Sequence, residues 1–358
     1  MIGIARGLGR LQARDCGTPK GRSDFVAGLM LLSLIFDLLP RRAVLVALMV
    51  SVPALAAAQT LEWTAGAPGG GWFAVASGLA RVLAEGNSGF QVNVIAGGSL
   101  DNPPRIQSGT SQLGMAVDFL AASAARGEAP FGGNPHTKLR SLGTGWYPPS
   151  VMHLLGPAGG EGGLAEAVAA PGLTIGTTPK GTSEELTLRR ILAFYGSSVE
   201  TIEARGGRVV TVSFADLVGA FAEGKIGYVF GAAALPAEWV TQIARGRRPA
   251  RLVALPPDLV RHLAAGLGYR DAAIPVGTYP GLHAGAVPVA AIDTVILISA
   301  EVPEDVAYRV TRTLLKARGR FGAIHAGLAA FDPAKAWRDQ PVPLHPGAER
   351  AYREGGFM

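Results

Sequence analysis

The stretch "LEWTAGAPGGGWFAVASGLARVLAE" (residues 61–85) decides the fold. Its first part, "LEWTAG" (61–66), reads as a short strand. Gly66 and then Gly69, Gly70 and Gly71 form a turn, and Val75, Leu79, Val82 and Leu83 follow at helical spacing. A strand that feeds a helix through glycines is the opening unit of an α/β protein. The turn also leaves the first amides of the helix without partners, and such amides attract an anion.

The same alternation continues downstream. "FQVNVIAG" (90–97) alternates like a half-buried strand, and "GGSLDNPPRIQSG" (97–109) has Pro103 where a helix can begin. "QLGMAV" (112–117) is a strand, and "DFLAASAARG" (118–127) a helix closed by glycine. The β-α-β-α-β-α order argues for a parallel sheet covered by helices. A second run starts with strands at "VMHLL" (151–155) and "LTIGTT" (173–178), followed by the amphipathic helix "SEELTLRRILAFYG" (183–196). "FADLVGAFAEGKIGYVFGA" (214–232) reads as helix, turn and strand, "AIDTVILIS" (291–299) as one buried strand, and "PEDVAYRVTRTLLKAR" (303–318) as a long helix. Two α/β domains are therefore expected. The chain crosses between them at "WYPP" (146–149) and returns between about 232 and 255. That gives residues 59–146 plus 236–358 to domain I and 147–235 to domain II.

The front of the chain has a different character. Two apolar runs, 25–39 and 43–58, flank Pro40, Arg41 and Arg42. The second reads as an export signal: a positive flank, an apolar core, and Ala56, Ala57 and Ala58 before a cleavage near Gln59. Its rival is a membrane anchor, but the run is short for a span and ends in small residues. Residues 1–58 are expected to leave, which makes the mature protein periplasmic. Seven basic and three acidic residues leave with them, so the formal net charge of +6 falls to +2. The basic excess therefore implies no nucleic-acid partner. Cys16, the only cysteine, lies in the same segment, so the remainder has neither disulfide nor thiolate chemistry.

Three loops in the remainder combine glycine with helix starts: "GAPGGGWF" (66–73), "AGGSLDN" (96–102) and "GTTPKGTSEE" (176–185). Each can offer backbone amides to an anion, or can merely shape a turn and cap a helix. Gly176 and Gly181 have P-loop spacing, but Thr182 stands where the phosphate-binding lysine belongs. No histidine pair has metal spacing, and no G-x-S-x-G elbow occurs. Neither a paired nucleophile and base nor a cofactor site is legible, so no enzyme, metal or cofactor is expected.

In sequence order these pieces resemble the TAXI family, the extracytoplasmic solute receptors of TRAP transporters. The match is carried by Gly66, Gly69, Gly70, Trp72 and Phe73, by Gly97, Gly98, Ser99 and Asn102, and by the strand that runs into Asp118. It continues through "GTTPKGTSEE" and through Ile274, Pro275, Gly277, Thr278 and Tyr279, and ends in "PLHPGAERAYREGG" (343–356). It departs at Gly227, where the family usually has an acidic residue, at Pro103 and Pro104, and in the glycine-rich stretch 159–173.

The resemblance implies a type II periplasmic binding protein, two α/β domains closing on a small carboxylate such as a glutamate-like amino acid or a dicarboxylate. It also implies partnership with TRAP membrane subunits that draw on a cation gradient. Candidate ligand contacts are Gly69, Gly70, Gly71, Trp72, Phe73, Gly98, Ser99, Asn102, Asp118, Thr178, Gly181, Thr182, Ser183 and Tyr279. Trp72 and Phe73 would cover an apolar body, and Asp118 would receive an ammonium or else begin its helix. A tricarboxylate-type receptor, which lacks the "PLHPGA" ending, and a membrane-anchored sensor are the alternatives.

Overall fold

The computed structural model describes residues 59–358 apart from 87, 88 and 161, and the expected export signal lies outside these. The chain opens β1 (Gln59–Thr64), α1 (Gly71–Glu85), β2 (Phe90–Ile95), α2 (Asn102–Ser108), β3 (Leu113–Val117), α3 (Asp118–Arg126) and β4 (Leu139–Thr144). It continues with β5 (Ser150–Pro157), α4 (Leu164–Ala169), β6 (Thr174–Thr177), α5 (Ser183–Phe194), α6 (Val199–Ala204), β7 (Arg208–Thr211), α7 (Phe214–Ala222) and β8 (Tyr228–Ala233). Then come α8 (Glu238–Ala244), β9 (Ala250–Leu252), α9 (Pro257–Leu267), β10 (Arg270–Ile274) and β11 (Val287–Ile292). The last section is β12 (Thr294–Ser299), α10 (Glu304–Lys316), α11 (Phe321–Ile324), α12 (Pro333–Ala336) and α13 (Pro346–Glu354).

These strands make two sheets, in the α/β arrangement expected. The first has the order β2-β1-β3-β12-β4. β1 is parallel to β2 and β3, while β12 runs antiparallel between β3 and β4. The second has the order β10-β11-β5-β8-β6-β7, with β9 paired to β5. Residues between β4 and β5 carry the chain from the first sheet to the second. The return was expected between about 232 and 255, but β9, β10 and β11 all belong to the second sheet. The chain comes back at Asp293, between β11 and β12. What reads as one strand over 291–299 is thus the end of one strand and the whole of another, in different sheets.

Packing explains the helices. On the first sheet, Trp63 of β1 and Leu79 and Leu83 of α1 join Val310 and Leu314 of α10 and the rings of Trp146, Phe321 and Tyr352 in one buried cluster. Pro103 and Pro104 sit at the start of α2, where no intrahelical donor is missed. The ending "PLHPGA" has a mechanical role. His345 Nδ1 accepts the Gly347 amide at 3.2 Å, and its Nε2 bonds the Val302 carbonyl at 3.0 Å. Gly347 lies so close to the backbone of Glu304 and Tyr308 that any Cβ would collide. Only glycine lets α13 seat against α10 there. Among the described residues, no helix is long and apolar enough to cross a membrane.

Candidate functional site

A cleft of about 460 Å3 opens between the loops of the two sheets. Its first wall is the turn from Gly66 to Trp72 together with Gly97, Gly98 and Ser99. Tyr147, Ser150 and Ile292 line it near the two crossings. The second wall is Thr178, Thr182, Ser183 and Glu184, then Ser213, Phe214 and the segment from Ala232 to Gln242.

α1 begins at this cleft with no side-chain cap on Gly70 and no acidic residue in its first turn. Its first amides therefore have no partner within the helix, and the dipole's positive end faces the cleft. A Cβ on Gly71 would collide with the Tyr147 hydroxyl, which fixes how near the crossing comes to this turn. Burial pushes the Tyr147 hydroxyl up to about 12, so it stays protonated. Trp72 lines the cleft and donates from Nε1 to Thr294 Oγ1 at 3.1 Å.

The loop 176–185 takes the second of its two sequence readings, the helix cap. Thr182 caps α5, accepting the Glu185 amide at 3.3 Å, and Thr178 and Thr182 hydroxyls lie 2.7 Å apart. Ser183 Oγ donates to Glu184 Oε2 at 3.0 Å. The hydroxyls of Thr178, Thr182 and Ser183 and a backbone amide all favour the ionised Glu184 carboxylate, but desolvation is larger and pushes its pKa up. Ser183 thus already serves a carboxylate of the chain itself, and Thr182 donates to the Pro179 carbonyl at 2.7 Å.

Nine of the candidate contacts line the cleft: Gly69, Gly70, Gly71, Trp72, Gly98, Ser99, Thr178, Thr182 and Ser183. The other five lie elsewhere. Phe73 packs on the core of the first sheet. Asn102 is fully buried and ties loops together: Nδ2 donates to Ala65 and Met115 carbonyls at 2.7 Å, and Oδ1 accepts the Gly98 amide and the Thr64 hydroxyl. Gly181 contributes its carbonyl to the Leu100 amide at 3.1 Å, joining the second and third loops. Asp118 accepts the Phe119 amide at 2.8 Å, and its own amide bonds the Asp293 carbonyl. Burial raises its carboxyl to about 6, with Asp293 adding to the rise and Arg270, itself paired with Asp293, opposing it.

Tyr279 stands behind the wall. Its hydroxyl accepts the Ala237 amide at 2.6 Å and meets His153 Nε2 at 2.9 Å, while His153 Nδ1 meets the Val151 carbonyl at 2.9 Å. One assignment satisfies all three contacts: Nδ1–H donates to Val151, and the tyrosine hydroxyl donates to Nε2. Tyr279 therefore positions Ala237 and is not among the residues that line the cleft. The residues that the sequence reading missed include Tyr147, Glu184, and the stacked pair Phe214 and Trp239, whose rings lie 5.0 Å apart. Trp239 is 6% exposed and its indole N–H has no partner among the described residues. An acid in a first helical turn and aromatics among apolar residues carry no distinctive signal of a ligand site. Only Tyr147 carried a signal, its place in "WYPP". Among the described residues, no group of three or more His, Cys, Asp or Glu could hold a metal ion.

Two α/β sheets, two chain crossings and a loop-lined cleft between them define a two-lobed cleft protein of the binding-protein kind. A family model described as NMT1-like matches residues 63–356, and the chain belongs to that family. Similar solved structures include a protein from Bordetella bronchiseptica RB50, 12% identical over 83% of this chain and 98% of that one, with a TM-score of 0.49. Another, described as a periplasmic transporter, is 15% identical over 86% and 95%, with a TM-score of 0.47. A TRAP periplasmic solute binding protein from Ochrobactrum anthropi is 14% identical over 85% and 91%, with a TM-score of 0.40.

Proposed function

We propose that the protein is the periplasmic receptor of a TAXI-type TRAP transporter, which captures a small organic acid or amino acid and delivers it to membrane subunits that draw on a cation gradient. The observation that carries this reading is the cleft itself, with the uncapped start of α1 in one wall. An amide-rich helix start holds a carboxylate without needing an arginine. Family membership and the ordered motifs from Gly66 to Gly356 support it. Periplasmic location rests on the Arg-flanked apolar run before Gln59. The lobes in this reading are residues 59–146 with 294–358, and 147–292, joined at 146–149 and at Asp293. A ligand that touches both lobes biases the closed form, which is the form offered to the membrane subunits.

The test is ligand-induced thermal stabilisation, followed by calorimetry, across amino acids, mono-, di- and tricarboxylates, sugars and nucleotides. A ligand at a hundredfold excess over its Kd is expected to stabilise the protein by about 2.7 kcal/mol. Stabilisation only by neutral sugars or nucleotides overturns the reading, and a response confined to tricarboxylates favours the rival receptor class. Two substitutions locate the contacts. Ser99 is 2% exposed and Ser183 5%, and both line the cleft. Ser99→Ala and Ser183→Ala are each expected to weaken the identified ligand by roughly 1 kcal/mol, about fivefold. A variant that binds normally but melts lower has lost a structural hydrogen bond and not a ligand contact.

A further inference from the structure

We propose that Glu184 receives a positively charged nitrogen of the ligand, so that the cleft selects a zwitterion, of the amino-acid kind, over oxo acids and dicarboxylates. This rests on the solute-capture reading and names the ligand class for the same cleft.

The charges of the lining residues are one-sided. Glu184 and Glu238 both lie on the second wall, and among the described lining residues there is no lysine or arginine. A ligand with two carboxylates would bring more negative charge into a confined cleft that already holds two acids. Glu184 also has a hydroxyl partner in place, with Ser183 Oγ donating at 3.0 Å. Among the described residues no cation is paired with it, and holding a carboxylate in a cleft without a counter-charge is costly. A ligand ammonium supplies that charge.

The opposite wall has the complementary character. The first turn of α1 holds amides, no cap and no acid, so a ligand carboxylate fits there. Trp239 lines the second wall as well, and its buried indole N–H has no partner among the described residues. Tyr147 sits between the two poles: its hydroxyl adjoins Gly71, and its electrostatic partners include Glu184. Asp118, the earlier candidate for the ammonium, is committed to the Phe119 amide and does not line the cleft.

A competing arrangement has the same geometry. A protonated Glu184 could donate a hydrogen bond to a ligand carboxylate, and glutamine at this position would do the same. Glu184→Gln separates the two. Calorimetry on the purified protein would use matched pairs: L-glutamate with 2-oxoglutarate, L-phenylalanine with phenylpyruvate, and L-leucine with 4-methyl-2-oxopentanoate. At least one amino acid is expected to bind, about 30-fold or more tighter than its oxo acid, the size of a charge-assisted contact. Glu184→Gln is expected to bring that preference within about threefold, and Glu184→Asp to keep part of it. Circular dichroism melting of each variant confirms that it is folded. The proposal is overturned if the oxo acid binds as well as its amino acid, or if folded Glu184→Gln keeps the preference. If oxo acids or dicarboxylates bind and the amino acids do not, the Glu184 proposal falls while solute capture stands. If the wild-type chain binds no small molecule in either panel, solute capture itself falls, and the Glu184 proposal with it.

Discussion

Asn102→Asp is expected to cost about 4 kcal/mol of stability, although it changes the shape of one buried side chain by almost nothing. Asn102 is fully buried, and its Nδ2 group donates to the carbonyls of Ala65 and Met115 at 2.7 Å and to that of Thr64 at 3.3 Å. An aspartate puts an oxygen in that place. Ionised, it faces three carbonyl oxygens with no proton between them. Protonated, it has one hydrogen to offer where the amide had two. Asn102→Ala loses the same bonds without the repulsion and is expected to be the milder change. Urea unfolding of the three proteins measures this. An Asn102→Asp variant as stable as the wild type, but unable to bind ligand, would return Asn102 to the list of ligand contacts.

Acid is the second large lever. Burial pushes His153 down to about 3, with its bond to Val151 opposing the shift. An unfolded chain takes up this proton near its ordinary pKa of about 6.5, whereas the folded chain refuses it until about 3. The stabilisation is therefore complete above about pH 6.5 and is lost as pH falls, at up to about 1.4 kcal/mol per unit. Between pH 7.5 and 4.5 this one group is expected to remove about 3 kcal/mol. Protonated Nε2 would point a hydrogen at the Tyr279 hydroxyl, which already accepts from Ala237. The loss therefore starts at a residue behind the cleft wall. His153→Gln keeps an acceptor for Tyr279 and removes the titration, so its stability should fall by about 3 kcal/mol less over the same range. Equal falls in the two proteins would place the acid sensitivity elsewhere.

Much of the architecture was legible because it is local. The unit from β1 through α1, the strand-to-helix step at Asp118 and the amphipathic α5 each declare themselves within a dozen residues, through periodicity and glycine placement. The short strand β9, three residues long, and the polar β4 carry too little apolar signal to announce a strand. The error over 291–299 has a different origin. Every residue from Val289 to Ser299 except Asp293 is buried, so hydrophobicity reads one continuous strand. Which sheet each half joins depends on partners far away in sequence. The site divides in the same way. Glycines and hydroxyls at helix starts were found because their local chemistry is distinctive, and eight of them, with Trp72, do meet at one cleft. Asn102 and Tyr279 read as ligand contacts, and the structure puts both behind the cleft lining; a buried polar side chain in a motif looks the same whether it holds a ligand or holds the loop that does. Glu184 was missed because an acid in a first helical turn already has an explanation.

The position of β12 fixes an order of events during synthesis. β3 and β4 do not bond to each other in the first sheet; both bond to β12, which pairs Thr294 with Val117 and Ser299 with Leu139. The whole of the second sheet is encoded between them. A chain emerging from the ribosome therefore makes four strands of the first sheet early, and these keep open edges while every residue of the second sheet is added. Such distant pairing is slow to form and exposes the nascent edges to wrong partners in the meantime. The sheet whose strands are made first is the one that closes last.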